Sequence, residues 1–456
     1  GVAMLDLNQP SDASENFRRA LKYKPDFVEA WNQRGVALFR LKRAAQALDC
    51  YDRAVAGAPD FADAWNNRGI ALLALKRAGE AIESYDRALR PNPNFTLALY
   101  NRANALSEDG RFEEAARDYA RAIELQASFA QAHRNLGVAL AAMWRLQEAL
   151  DSFDRALALS PNLGEVHHNK ASILHMLGRP VEAVASLETA LALDPTRDFL
   201  LGDRLHARMM LSDWRDFANL RAQLLVRLER GERVVSPLAL LSLTSDPALQ
   251  RKAAQLYVDT KYPAAEGLGQ ISKRSPRKKI RLGYFSPDFR NHAVSFLAAE
   301  LFERHDRERF ETIAFAFGRG EEDDMRRRLE RGFDRFIDVR SRSDADIARA
   351  ARGLEIDIAI DLAGFTARSR AGIFAHRAAP IQVSYLGYLG TMAAPYMDYI
   401  IADKMLIPEA DRKFYREKIL YLPSYQVNGT KRAISPTPRA RAIQPAARRI
   451  RVLLLQ

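Results

Sequence analysis

Residues 28–61 read VEAWNQRGVALFRLKRAAQALDCYDRAVAGAPDF, and residues 62–95 read ADAWNNRGIALLALKRAGEAIESYDRALRPNPNF. Set one beneath the other, these 34-residue segments agree at Trp31 and Trp65, Gly35 and Gly69, Ala47 and Ala81, Tyr51 and Tyr85, and Ala54 and Ala88. The step continues outward. Ala115, Ala149 and Ala183 extend the series begun at Ala47; Tyr119, Phe153 and Leu187 extend that of Tyr51; Ala122, Ala156 and Ala190 extend that of Ala54. Pro25, Pro59, Pro93, Pro161 and Pro195 punctuate it, with Ala127 in the one gap. Small residues in register let two helices approach closely. A proline after the second helix blocks its continuation and sets the entry to the next unit. The period therefore predicts a solenoid of helical hairpins, each of which buries its apolar face only against its neighbours.

This pattern resembles the tetratricopeptide repeat. Five full units run from about residue 28 to 197, and the whole array is assigned to residues 1–197. In a partial first unit, Ala13, Phe17 and Ala20 match Ala47, Tyr51 and Ala54, and Gly1 falls on the position of Gly35. Such arrays carry polar caps, and none is visible, so residue 1 reads as a truncation point. Before the repeat glycine the expected leucine is replaced by Arg34, Arg68 and Arg102. His133 and His167 stand where Trp31 and Trp65 stand. The first helix of each hairpin lines a concave face, and one amide recurs on it: Gln33, Asn67, Asn101, Asn135 and Asn169. A primary amide both donates and accepts. Such a ladder either holds an extended polypeptide by its backbone or ties neighbouring repeats together.

Residues 198–278 lose the step and read as a helical adaptor broken by Pro237, Pro247, Pro263 and Pro276. From Lys279 strands and helices alternate. Strands are expected at 280–285, 310–316, 337–339, 356–362, 381–385 and 399–402, with helices at 294–304, 321–331 and 344–352. Alternation of this kind predicts a parallel, doubly wound α/β Rossmann-like sheet. Ligands of such sheets lie beyond the carboxyl ends of the strands. Asp288 and His292 follow the first strand, Asp361 and Thr366 the fourth, and Tyr388, Gly390 and Thr391 the one at 381–385. Polar groups from three strand ends thus converge on one edge.

Gly283-Tyr284-Phe285-Ser286-Pro287-Asp288-Phe289-Arg290-Asn291-His292 resembles the opening of the catalytic region of the O-GlcNAc transferase family. So do Asp361-Leu362-Ala363-Gly364-Phe365-Thr366, the stretch from Ala379-Pro380-Ile381-Gln382 to Gly387-Tyr388-Leu389-Gly390-Thr391, Tyr396-Met397-Asp398-Tyr399 and Tyr421-Leu422-Pro423. The likeness runs from about 279 to 428. It implies that 279–430 is the first half of a GT-B glycosyltransferase core, whose second half carries most of the UDP contacts. It also implies inverting transfer of N-acetylglucosamine from UDP-GlcNAc to Ser or Thr hydroxyls of proteins held by the repeats, without metal or other cofactor. His292 matches an active-site histidine of the family, and imidazole is the side chain best suited to accept a proton near neutrality. It is the candidate base, or else a loop histidine capping the following helix. Asp361, where animal relatives carry Asn, is a weaker catalytic candidate with an orienting or structural duty open to it. Asp288 serves either the site or as a helix cap. Gly390 and Thr391 let backbone approach a sugar or phosphate, although Leu389 replaces the proline often found there. The resemblance gives the amide ladder the polypeptide-holding role. A non-catalytic repeat scaffold that binds protein partners is the alternative reading.

The formal charge of +12 does not indicate a nucleic-acid partner. Lys431, Arg432, Arg439, Arg441, Arg448, Arg449 and Arg451 supply seven of those charges, and no Asp or Glu follows Glu417. Residues 431–456 read as a disordered, aberrant tail where the second transferase half is expected to begin. No run of 18 apolar residues predicts a membrane span, and the first residues lack the order of a signal peptide. The single cysteine, Cys50, excludes a disulfide framework and a cysteine metal site, and fits a reducing, cytoplasmic setting. Gly318-Arg319-Gly320 is a weak phosphate signal, and no Walker loop occurs.

Overall fold

The computed structural model describes residues 1–425 except 266, 272–276, 319, 321 and 367. The tail expected at 431–456 and Arg319 lie outside the described residues. Hairpins pair Val28–Arg40 with Ala44–Gly57, Ala62–Ala74 with Ala78–Leu89, Thr96–Glu108 with Phe112–Leu125, Ala130–Ala142 with Leu146–Leu159, and Gly164–Met176 with Pro180–Leu193. A shorter pair, Val2–Asp6 and Pro10–Tyr23, precedes them.

The first, second and fourth full hairpins close on a glycine lying under a ring of the same hairpin's second helix. A Cβ built on Gly35 would lie 2.5 Å from Tyr51, on Gly69 2.5 Å from Tyr85, and on Gly137 2.6 Å from Phe153. The sequence pattern points to these aromatics as filler between units; their tightest contact is within the unit. Gly1 and Phe17 repeat the arrangement at the start of the chain. Between the two helices one residue turns left-handed at the same step: Lys42, Lys76, Gly110, Trp144 and Gly178, with φ from +60° to +76°. The indole Nε1–H of Trp31 donates to the Pro25 carbonyl at 2.8 Å, and that of Trp65 to Pro59 at 2.7 Å. His133 and His167 keep this bond, with Nε2 at 3.3 Å from the Ala127 carbonyl and 3.1 Å from that of Pro161. Two of the arginines at this step are ionic ties, Arg68 pairing with Asp52 at 2.6 Å, while Arg34 lies over the Trp31 ring at 5.7 Å. Arg102 pairs with Asp86 at 2.7 Å and with Asp118 at 2.6 Å, bridging the second helices of successive units.

Helices Leu200–Met210, Phe217–Glu229, Pro237–Leu241 and Pro247–Lys261 follow. The last already belongs to the next core, since Ala254 and Val258 pack with Phe285, Phe315 and Phe374. The sheet comprises β1 (Ile280–Ser286), β2 (Phe310–Ala316), β3 (Arg335–Asp338), β4 (Ile358–Asp361), β5 (Ile381–Ser384), β6 (Tyr399–Ala402) and β7 (Lys418–Tyr421), in the order β3-β2-β1-β4-β5-β6-β7. Every neighbouring pair is parallel. Phe285 and Phe315, opposite each other on β1 and β2, stack at 4.4 Å. Helices Ala293–Glu303, Asp324–Gly332 and Asp344–Gly353 supply crossovers. β3 begins two residues before its expected start at 337. β4 is shorter than the apolar run 356–362, because Ile356 and Leu362 are buried where the chain enters and leaves the ladder. β7 was not expected: it is four residues long, with alternating exposure at the sheet edge.

The glycine contact predicts opposite outcomes for two substitutions in one hairpin. Gly69→Ala drives a methyl into the fully buried Tyr85 ring and is expected to cost about 1–3 kcal/mol. Gly79→Ala, where an added Cβ meets nothing within 4 Å, is expected to stabilise by about 0.5 kcal/mol. Thermal unfolding followed by circular dichroism checks both, and a melting temperature unmoved by Gly69→Ala would contradict the packing account.

Candidate active site

β1 leads to β2 on one side, and its other neighbour is β4, so the strand order reverses direction between β1 and β4. A crevice opens outside the carboxyl ends at such a reversal. Phe285 of β1 pairs with Asp361 of β4, so the loops after these two strands leave the sheet side by side. His292, Asp288, Asp361 and Thr366 are all on those loops or at their roots.

The loop after β1 is tied down from within. The Asp288 N–H donates to Ser286 Oγ at 3.0 Å, and Ser295 Oγ donates to the Asp288 carbonyl at 2.5 Å. His292 is the N-cap of helix Ala293–Glu303, its Nδ1 accepting from the Val294 N–H at 3.3 Å. The same Nδ1 lies 3.6 Å from Asp288 Oδ2. One nitrogen cannot accept from Val294 and donate to a carboxylate at once, so the tautomer decides which contact is made. Asp288 is thus the partner of the cap rather than the cap itself. Arg290 lies 3.8 Å from its other oxygen. Burial raises the Asp288 carboxyl, and the charges of His292, Arg290 and Arg368 offset part of that rise.

Asp361 is 2% exposed. Its Oδ1 accepts from the Ala363 N–H at 2.9 Å, while Oδ2 is buried without a hydrogen-bond partner among the described residues. Desolvation pushes this carboxyl up to about 6, against the N–H groups of Ala363 and Gly364. Thr366 Oγ1 donates to the Ala363 carbonyl at 2.9 Å and closes the turn after β4.

Residues 257–449 match the model of Glycosyl transferase family 41, and tetratricopeptide models match 1–60, 43–94, 100–163 and 164–197. The chain joins tetratricopeptide repeats to a family 41 glycosyltransferase region, the make-up of an O-GlcNAc transferase-family protein. It is 31% identical over 243 residues to a probable UDP-N-acetylglucosamine-peptide N-acetylglucosaminyltransferase of Arabidopsis thaliana, covering 50% of this chain and 25% of that protein. It is 35% identical over 147 residues to the UDP-N-acetylglucosamine-peptide N-acetylglucosaminyltransferase of Caenorhabditis elegans, covering 32% of this chain and 13% of that one. The matched part thus spans a quarter or less of either relative. Among solved structures, a Thermobaculum terrenum O-GlcNAc transferase mutant is 24% identical, covering 74% of this chain and 59% of that one, with a TM-score of 0.47.

Not every expected contact of this chain lies at the crevice. Tyr388 and Thr391 are each 3% exposed. The Tyr388 ring packs edge-on against Phe365 at 5.3 Å, and a Cβ on Gly390 would meet its hydroxyl. Thr391 Oγ1 donates to Glu417 Oε2 at 2.6 Å, and Glu417 Oε1 accepts from the Met392 N–H at 2.7 Å. Glu417 itself is buried, which raises its carboxyl. The side chains of Tyr388 and Thr391, expected at the ligand, are therefore committed to the fold. Glu417 escaped notice because a lone acid ahead of an unrecognised edge strand has no pattern around it.

The amide ladder makes bonds between repeats. Asn67 donates to Asn32 at 3.0 Å, Asn101 to Asn66 at 2.9 Å, and Asn135 to Asn104 at 2.8 Å. Gln33 and Asn169 make no corresponding bond among the described residues. Asn169 instead faces a cavity of about 880 Å³ between the fifth hairpin, the adaptor and the turn after β4, where His168, Asp203, Tyr257, Thr366 and Arg368 join it. His168 Nε2 is 2.9 Å from Asp203 there, so the adaptor lines this cavity together with the last repeat. Among the described residues no group of three or more His, Cys, Asp or Glu is placed to hold a metal, and no helix is long and apolar enough to cross a membrane.

Asp361 generates a pH prediction. Its folded value of about 6 exceeds the ordinary 3.8, so the folded state holds more protons between those values and stability falls as pH rises through that window. The full effect is on the order of 3 kcal/mol. Asp361→Asn is expected to flatten the pH 4–6 segment of the urea-unfolding free energy and to leave the chain no less stable than wild type at pH 7. An unchanged slope would show that Asp361 is ionised without penalty.

Proposed function

We propose that this chain serves an inverting glycosyl transfer, in which N-acetylglucosamine passes from UDP-GlcNAc to Ser or Thr hydroxyls of proteins held by the repeats. The observation that carries the reading is the Asp288–His292 pair, set at the strand-order reversal beside Asp361. In such a transfer the acceptor oxygen bonds to the anomeric carbon, the bond from that carbon to the UDP oxygen breaks, and UDP leaves with the electron pair. The hydroxyl proton needs an acceptor. With Nδ1–H directed to Asp288, His292 presents an unprotonated Nε2, the form a base requires. With Nδ1 accepting from Val294, Nε2 carries the proton and is a donor instead. Asp288 is therefore the positioning partner that selects the basic tautomer, and Asp361 a structural neighbour that shapes the turn bearing Thr366.

In this reading residues 1–197 present acceptor proteins, 198–278 join the two parts, and 279–430 form the N-terminal half of the glycosyltransferase core. The half-buried amide ladder, ending at Asn169 beside the cavity, keeps a partly accessible row of amides that supports polypeptide binding along the concave surface. UDP-GlcNAc enters as donor substrate, without a metal. A cytoplasmic setting accords with the buried, unpaired Cys50.

The test is sugar transfer by the protein that carries this chain, given UDP-GlcNAc and an acceptor protein and read by mass spectrometry of Ser and Thr. His292→Ala is expected to lower the rate by about 10²–10⁴. Asp288→Asn is expected to lower kcat while leaving acceptor binding intact. Acceptor binding without transfer in the wild type would favour a non-catalytic scaffold, and transfer undiminished in His292→Ala would remove the histidine from the mechanism.

A further inference from the structure

Two residues in the left-handed region face each other across the junction between repeats and sheet. Trp144, at φ +64°, is the turn residue of the fourth full hairpin; Arg368, at φ +70°, follows the turn after β4. Neither is glycine, so each backbone holds a conformation that costs energy and persists only where surrounding contacts enforce it. The Arg368 guanidinium carbon lies 3.7 Å from the centroid of the Trp144 ring. Tryptophan offers the strongest face for a cation, and 3.7 Å is well inside the range for that attraction. One turn earlier in the array, Gly110 makes the corresponding approach: a Cβ there would lie 2.8 Å from the Ser343 backbone. Successive hairpin turns thus rest on the sheet domain, and Trp144 carries the charged contact.

We propose that Arg368, held by Trp144, is a positioning residue that brings a fixed positive charge from the repeat junction to Asp288, and through it to His292. This rests on the role given to that pair above. Arg368 lines the junction cavity together with Thr366 and Asn169. Phe285 and Asp361 pair across β1 and β4, so the loop bearing Asp288 and the turn that leads to Arg368 leave the sheet side by side, and the Arg368 charge acts against the effect of burial on the Asp288 carboxyl. Among the described residues, charged groups also near the pair are Arg290 on the same loop and Asp323 of the next crossover, whose Oδ2 accepts from the Asn291 N–H at 2.6 Å. Arg368 is held by the side chain of a residue of the repeat array, Trp144. A lysine would keep the charge but lose the planar stack on the indole.

The test follows the Asp288 carboxyl carbon by ¹³C NMR in the aspartate-labelled chain, assigned with Asp288→Asn. Circular dichroism checks that each variant is folded. Arg368→Ala is expected to move the carboxyl titration upward by about half a unit or more. Trp144→Ala is expected to move it the same way by less, and Trp144→Phe to restore most of the difference. An unmoved titration in folded Arg368→Ala would overturn the charge role. Movement in Arg368→Ala with none in Trp144→Ala would overturn the role of the stack. Neither reading depends on sugar transfer, so a protein without transferase activity would remove the proposed function and leave this result standing.

Discussion

The constraint on which everything else leans is the depth to which an aromatic ring can sink against the first helix of its own hairpin. Tyr51, Tyr85 and Phe153 rest where a side chain would otherwise begin, over Gly35, Gly69 and Gly137. That contact sets the distance between the two helices. The distance in turn fixes the left-handed residue between them and the angle at which the next unit stacks. Where the glycine is replaced by Ala103, Tyr119 keeps its burial and its hydroxyl donates to Asn104 at 2.6 Å. At Ala171 the aromatic has become Leu187. Gain of a methyl on one helix is thus met either by a hydroxyl anchor or by a smaller partner on the other.

A regular array has a second consequence: it presents equivalent turns at equal intervals. Gly110 and Trp144 occupy the same place in adjacent hairpins, and both meet the sheet domain, one at Ser343 and the other at Arg368. The sheet domain answers with rigid points, the N-cap of helix Asp344–Gly353 and the turn after β4. The turn after β4 also borders the crevice, so the geometry of the repeats reaches the strand ends through few intervening atoms. The adaptor reinforces the joint from the other side, where Tyr257 packs edge-on against Phe199 at 5.1 Å and against Phe365 at 5.3 Å.

Legibility in the sequence followed the range over which each contact acts. The hairpins could be read because every small residue and every ring answers a steric demand that recurs in one register. The loops after β1 and β4 could be read because a doubly wound sheet puts its functional groups at strand ends whatever the side chains are. What could not be read are contacts between residues far apart with no period to link them. Thr391 and Glu417 are 26 positions apart, and nothing near either one announces a buried hydroxyl–carboxylate bond. Trp144 and Arg368 are 224 positions apart, and no motif or period links them. β7 hid because four residues alternating between exposed and half-buried at an edge carry too little apolar signal. The amide series was legible as a series, but its donors are spent between repeats, a choice the spacing left open.

The competition at His292 Nδ1 is where fold and chemistry meet. A capped helix start and a carboxylate neighbour make opposite demands on one nitrogen, and both distances, 3.3 Å and 3.6 Å, are longer than a committed hydrogen bond. Each alternative leaves a different group unsatisfied: the Val294 N–H when the proton faces Asp288, the buried carboxylate when it does not. The N–H of a helix's first turn can turn to water, whereas a carboxylate at 7% exposure has little recourse beyond Arg290 and Arg368. The balance therefore tilts toward the tautomer with Nδ1 protonated for as long as Asp288 is ionised, and toward the cap once Asp288 takes up a proton. Whatever keeps charge beside Asp288 thereby governs which nitrogen of His292 is available to a hydroxyl in the crevice.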